Sequence, residues 1–199
     1  HIHTNQWAEK ALNRYIKKAK NVNADNPIEM SAEISKQLQA IAIAGATLRT
    51  PVRMSHQGEY IKSNQPEEPT RLVKQLQMLA ESSALLRNRN HVTSQDVEMV
   101  LRVAYDGISP RRRRVLRALL EEKTGVREIA RHIGVSTNTT TRELEMLQQI
   151  KVVIRDESEG KYSKWKLRDR IAEVIDDSGL TMRILKTDLS WLEDENDGN

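Results

Sequence analysis

The chain has 199 residues, 38% of them hydrophobic, which is enough to build the cores of two small domains. It contains no cysteine, so disulfides and thiolate metal sites are excluded, and its five histidines are not clustered at ligand spacing, so we expect no metal site. The net charge of +4 permits a nucleic-acid partner, and the absence of a long apolar run or signal-like start predicts a cytoplasmic protein without a membrane partner.

Residues 1–108 show the apolar spacing of amphipathic helices joined by connectors. The first predicted helix covers Gln6–Ala19, and the second covers Ala32–Leu48 with Ser31 as its N-cap. Residues 51–66 are rich in loop-forming residues and predict a loop or a small hairpin.

Two further helices follow in this half. One opens at Pro69, which suits a first helical turn, and the next follows Thr93, which forms a capping box with Asp96. No phosphate-binding loop, paired carboxylates with histidine or nucleophile elbow occurs in residues 1–108. We therefore predict no catalytic residue in this half.

Residues 109–149 have the pattern of a helix-turn-helix. Ser109-Pro110 opens one helix, Val126–Ile133 predicts a short second helix, Gly134 forms the turn, and Ser136 caps a longer helix ending at Gln149. The spacing of Thr140, Leu144 and Leu147 places them toward the core, which leaves the polar start of the last helix exposed. Because such a start enters the major groove in helix-turn-helix proteins, we predict DNA contacts there. The predicted residues are Ser136, Thr137, Asn138, Thr141 and Arg142.

Two short β-prone runs follow, Val152–Arg155 and Lys161–Leu167, joined by a turn-forming stretch. They predict a β-hairpin wing, and hence a winged helix. Alternation places Trp165 and Leu167 on the core face, with basic and aromatic side chains on the other. The predicted DNA contacts of the wing are Arg155, Lys161, Tyr162, Lys164 and Lys166.

Four consecutive arginines, Arg111, Arg112, Arg113 and Arg114, occupy the first turn of a predicted helix. Cations there oppose the helix dipole, so helix stability does not explain them. Three alternatives are open: they pair with carboxylates of a neighbouring domain, contact phosphates, or are solvated.

The first half resembles the C-terminal lid of AAA+ ATPases, and most closely that of the minichromosome maintenance helicases and magnesium-chelatase-like relatives. The resemblance rests on Asn13-Arg-Tyr-Ile-Lys-Lys-Ala-Lys20, on the Ser-capped helix ending at Leu48-Arg49, on Thr70–Leu86 and on His91-Val-Thr-Ser-Gln-Asp-Val97. These families place a winged helix after the lid. The resemblance implies a lid-like helical domain at 1–108, which together with the winged-helix domain at 109–192 predicts a mainly α fold. The acidic composition of residues 193–199 predicts a disordered tail.

In that family an arginine at the start of the third lid helix senses the nucleotide γ-phosphate, and Arg71 matches its position. The Walker motifs and the arginine finger are absent, so residues 1–199 by themselves are expected to be neither an ATPase nor a holder of a cofactor. The resemblance implies the DNA-binding C-terminal portion of a helicase-type replication motor, with ATP, Mg²⁺ and a homo-oligomer belonging to the complete protein.

Two other functions fit the same sequence. The chain would be a free-standing transcriptional regulator if residues 1–108 formed a dimerisation or effector domain. Residues 125–168 carry nine basic and six acidic residues, a modest net charge. A winged helix that is used only for protein contacts is therefore also possible. A Gly-x-x-x-x-Gly-Lys-Ser/Thr loop upstream would favour the motor.

Overall fold

A computed structural model describes residues 27–52, 68–156 and 164–186. The described residues are mainly helical and include a small two-stranded antiparallel sheet. The elements are α1 (Ala32–Leu48), α2 (Pro69–Leu86), α3 (Ser94–Asp106), α4 (Pro110–Leu120), α5 (Val126–Ile133), α6 (Thr137–Gln149), β1 (Val153–Asp156), β2 (Lys164–Leu167), α7 (Asp169–Asp177) and α8 (Leu180–Lys186). The predicted helix Gln6–Ala19, most of the predicted loop 51–66 and the acidic tail lie outside the described residues. Within these ranges no helix is both long and apolar enough to span a bilayer.

The predicted starts of α1, α2 and α3 are confirmed. The Ser31 hydroxyl accepts a hydrogen bond from the Ile34 N–H at 3.2 Å, and Pro69 lies in the first turn of α2. At the start of α3, the Asp96 carboxylate accepts the Thr93 N–H at 2.9 Å, as the capping box requires. The local pattern thus determined where these helices begin.

Helices α1, α2 and α3 pack around one hydrophobic cluster, with Leu38, Ile41, Leu76 and Val100 at its centre. An isolated parallel bridge joins the segment before α1 to the segment before α3: the Glu29 N–H donates to the Asn90 carbonyl, and the Val92 N–H donates to the Glu29 carbonyl, both at 2.9 Å. This bridge fixes the entry of α1 beside the α2–α3 connection.

The α2–α3 connection is held by a buried carboxylate. Asp96 is fully buried. Its two carboxylate oxygens accept hydrogen bonds from Arg89 at 2.6 and 2.8 Å, and one of them also accepts the Ser83 hydroxyl at 2.6 Å. Burial alone raises the pKa of Asp96, but the hydrogen bonds from Arg89, Ser83 and Thr93 outweigh it and hold the pKa well below its usual range. Asp96 is therefore charged at neutral pH and joins the two helices.

The predicted helices on either side of Gly134 are present, and a turn joins them. Gly134 has φ 71°, in the left-handed region, and its N–H donates to the Ala130 carbonyl to close α5. The Ser136 hydroxyl then accepts the Thr139 N–H at 3.1 Å and starts α6. A side chain at position 134 would meet no neighbour within 4 Å, so the backbone angle, rather than space, favours glycine there.

The predicted hairpin is present, with β1 and β2 antiparallel. Trp165 is buried in the hydrophobic cluster that also contains residues of α4 and α6, and Val153 on the same face is fully buried, so one face of the sheet closes the core. The predicted first strand began one residue early: Val152 is buried but precedes β1.

Helices α7 and α8 were not predicted. Both follow the wing; α7 starts with Asp169, which suits the positive end of a helix dipole, and Gly179 with φ 80° separates it from α8. Ile175, Leu180 and Ile184 from these helices are buried. This C-terminal pair packs against α1, α3 and α4.

The second hydrophobic cluster draws on both halves of the chain. Ala44, Leu48, Tyr105 and Ile108 from the first half pack with residues of α4 to α8 in that cluster. A domain boundary between residues 108 and 109 stays a prediction, but the residues on its two sides share one core.

Candidate nucleic-acid interface

The orientation of α6 defines the candidate interface. Thr140, Leu144 and Leu147 are completely buried, as predicted, and they anchor the helix against α4 and α5. The opposite side of the first two turns faces solvent, and Ser136, Thr137, Asn138 and Arg142 are exposed there.

The chemistry of that exposed start suits hydrogen bonding to nucleic acid. Thr137 and Asn138 carry side-chain donors and acceptors, Arg142 carries a fixed positive charge, and Thr141 beside them is half-buried. The Ser136 hydroxyl is used for capping and contacts Thr139 Oγ1 at 2.9 Å, so its first role is structural. The start of α6 thus presents two polar groups and a cation on one exposed surface.

The wing adds a second set of cations. Lys164 and Lys166 are exposed and alternate with buried Trp165, as predicted. Lys166 Nζ lies 3.5 Å from Asp156 Oδ2, which offsets part of its charge. The predicted contacts Lys161 and Tyr162 lie outside the described residues.

Arg155 does not belong to the same face as the two lysines. It lies directly opposite Trp165 in the strand register, whereas Lys166 lies opposite Ile154 and Lys164 opposite Asp156. Because paired residues share a face of a sheet, Arg155 projects from the core side and is exposed beyond it. The structure therefore brings Lys164 and Lys166 together but not Arg155.

Arg112 is buried and joins both halves of the chain. Its Nε donates to Glu143 Oε1 at 3.3 Å, and its Nη1 donates to the carbonyls of Leu48 and of Thr50, the latter at 3.0 Å. Its side chain is only 8% exposed, which excludes the phosphate-contact and solvated alternatives for this residue.

The other three arginines of the run differ from one another. Arg113 is buried, lies 3.5 Å from Asp106 Oδ1 and has its guanidinium 4.6 Å from the centre of the Tyr105 ring, so a phosphate contact is excluded for it too. Arg114 is half-buried and donates to the Ile133 carbonyl at 3.3 Å. Arg111 is exposed and is the member of the run best placed to contact a partner.

Sequence reasoning missed Glu143, the buried partner of Arg112. Glu143 lies three residues after Thr140 and one before Leu144, on the buried face of α6. Its burial could therefore have been predicted from the helical spacing. A buried carboxylate needs a partner for its charge, and Arg112 of the arginine run supplies it.

The predicted sensor Arg71 is exposed in the first turn of α2. It lies on the three-helix half of the structure and not on α6 or the wing. Across the described ranges, histidines and carboxylates form no group of three that could hold a metal ion.

Comparison with known protein families, curated proteins and solved structures found no match to this chain. The candidate interface therefore rests on the geometry of α6 and the wing.

Proposed function

We propose that this chain is the DNA-binding C-terminal portion of an AAA+ ATPase of the helicase type, and that it binds duplex DNA with α6 and the wing. The part of the proposal that concerns DNA rests on local geometry. The part that concerns the motor rests on the sequence resemblance.

The observation that carries DNA binding is the exposed polar start of α6 beside its buried anchor. A helix reads base edges only if its core-facing side holds it rigidly while its first turns project outward. Thr140 and Leu144 provide the anchor, and Asn138 and Arg142 project from the other side. Asparagine suits adenine edges and arginine suits guanine edges or phosphates.

The motor assignment is supported by the lid-like sequence and by the position of Arg71. Helices α1, α2 and α3 share one core, and Arg71 is exposed at the start of α2, as a sensor that contacts a nucleotide outside these residues would have to be. ATP, Mg²⁺ and the homo-oligomer belong to that complete protein.

Fluorescence anisotropy with labelled duplexes tests DNA binding. We expect dissociation constants in the micromolar range or above, a steep salt dependence and little sequence preference, because most of the contacts are cationic. The double variant Asn138→Ala/Arg142→Ala should weaken binding at least about tenfold, since a lost base contact costs about 1–3 kcal/mol.

Arg71→Ala is the matched control, because it removes an exposed arginine outside the proposed interface. Its affinity for DNA should equal that of the unmodified chain. Equal losses in both variants would contradict the proposed interface. Tight, salt-insensitive binding to one sequence would instead favour a transcriptional regulator.

A further inference from the structure

An apolar groove of about 700 Å³ lies on the side of the wing away from Trp165. Its walls come from α1, the end of α6, β1 and the start of α7, and they include Ile43, Ile150, Ile154 and Ile171. Ile43 is 39% exposed in this groove, an unusual exposure for a residue of a helix whose neighbours are mostly buried. The volume falls within the range of about 300–1,000 Å³ that is typical of binding pockets.

Cations surround this apolar surface. Lys151, Arg168 and Arg170 are exposed and line the groove, and Asp169 is the acidic residue among the lining groups. Lys166 lies opposite Ile154 in the strand register and so shares the face of β1 that lines the groove. The groove therefore favours an apolar ligand that carries negative charge.

One segment of the chain has this composition. Residues 189–197 read Leu-Ser-Trp-Leu-Glu-Asp-Glu-Asn-Asp, so that three large apolar residues precede four acidic ones. This composition matches the groove in two respects. Its apolar side chains can pack against the isoleucines, and its carboxylates can pair with the cations around them.

The segment follows a helix that packs against one wall of the groove. Helix α7 lines the groove with Ile171, and α8, which packs against α7, ends at Lys186. The six residues from Thr187 to Leu192 span up to about 20 Å when extended.

We propose that residues 189–197 occupy this groove in the same molecule, with Trp191 and Leu192 against the isoleucines and the acidic residues beside Lys151, Arg168 and Arg170. The inference does not require DNA binding, although Lys166 lies on the face shared by the groove and the proposed DNA surface. It gives the acidic segment a binding site within the chain, in place of the disorder that its composition predicts.

Disulfide trapping tests the proposal in the full chain, which contains no cysteine of its own. The test pair is Ile43→Cys with Leu192→Cys. The control pair is Met182→Cys with Leu192→Cys, because Met182 is 53% exposed, more than Ile43, and lies on α8, close to the segment along the chain. An unbound segment would therefore trap the control pair as fast as or faster than the test pair.

We expect the Ile43 pair to form the intramolecular disulfide at least about tenfold faster than the Met182 pair, as measured by mass spectrometry of quenched samples. Equal rates, or a faster control, would overturn the proposal. A predominant disulfide-linked dimer would also overturn it, since the occupant would then be a second copy of the chain.

Charge exchange separates specific docking from nonspecific contact. Arg168→Glu/Arg170→Glu should slow trapping of the Ile43 pair about tenfold, and Glu193→Lys/Glu195→Lys in the same chain should restore it. Arg127→Glu/Arg131→Glu, which reverses two exposed cations of α5, should leave the rate unchanged. Equal slowing by both arginine pairs would contradict the assigned site.

Discussion

At the scale of single residues, the buried carboxylate of Asp96 contributes strongly to the stability of the first half. It accepts hydrogen bonds from Ser83 of α2 and from Arg89 and Thr93 of the α2–α3 connection, and its charge is matched by Arg89 and, at 3.2 Å, by Arg87. A buried pair is not stabilising merely because it is charged, but removing one partner leaves the other uncompensated. The pair is therefore sensitive to substitution.

Asp96→Asn should lower the free energy of unfolding by about 3 kcal/mol at pH 7, because Arg89 would then lack its charged acceptor. Asp177→Asn on α7 is the control: Asp177 is exposed, and its loss should cost less than about 1 kcal/mol. Urea unfolding followed by circular dichroism measures both.

The pH dependence gives a second, independent result. Since the folded-state pKa of Asp96 is lowered, its contribution is complete at neutral pH and is lost as pH falls below about 4, where the unfolded chain begins to take up a proton. The difference in the free energy of unfolding between the native chain and Asp96→Asn should therefore narrow as the pH falls below 5. A difference that stays constant to pH 3 would contradict the assigned charge state.

Residue-level prediction from the sequence failed where tertiary contacts decide the role of a side chain. The four consecutive arginines have the same local setting, yet Arg111 is exposed, Arg112 and Arg113 are buried, and Arg114 is half-buried. Helical geometry separates successive side chains by about 100°, so neighbours in sequence meet different partners. Which partners they meet depends on the packing of α1 and α6, which local patterns do not specify.

At the scale of elements, local signals predicted most boundaries. The helix boundaries at Ser31, Pro69, Gly134 and Ser136 depend on hydrogen bonds or backbone angles within a few residues. Such local boundaries can therefore be predicted from the sequence. Helices α7 and α8 are short, with nine and seven residues, and depend on packing against the rest of the chain. The face of Arg155 depends on strand register, where a shift of one residue exchanges the two faces.

The wing and α6 should make separable contributions to DNA binding. Lys164 and Lys166 project from the same face, so Lys164→Ala/Lys166→Ala should weaken binding to all duplexes alike and reduce the slope of log K against log salt by about two units. Anisotropy titrations at several salt concentrations on two unrelated duplexes measure this.

Lys36→Ala/Lys74→Ala provides the matched control for the wing lysines, since both residues are exposed lysines of α1 and α2. Its slope should match that of the unmodified chain. If the wing variant binds as the unmodified chain does at every salt concentration, the lysine face does not touch DNA and a winged helix used for protein contacts becomes the better explanation.

At the scale of the whole molecule, Arg112 links the candidate interface to the first half of the chain. It contacts the carbonyls that end α1 and the carboxylate of Glu143 inside α6, within a core that both halves share. Any movement of the end of α1 therefore acts directly on the helix proposed to read DNA.

A double-mutant cycle with Arg112→Met and Glu143→Met should give a coupling energy of about 1–3 kcal/mol, because each single variant leaves a buried charge unpaired. The cycle on the partly exposed pair of Arg117 and Glu121, 3.0 Å apart on α4, should give less than about 0.5 kcal/mol. In Arg112→Met, hydrogen exchange should accelerate at the end of α1 as well as in α6. Acceleration confined to α6 would show that Arg112 does not couple the two halves.

The backbone of Trp165 has a consequence for self-association. Its N–H points away from β1 and donates to the Thr124 carbonyl at 2.9 Å, so the loop between α4 and α5 covers the outer edge of β2. Uncovered strand edges pair readily with strands of other molecules and nucleate aggregation. A second molecule that added a strand to β2 would first have to displace Thr124. The hairpin is thereby protected along this edge against β-augmentation and growth into intermolecular sheets.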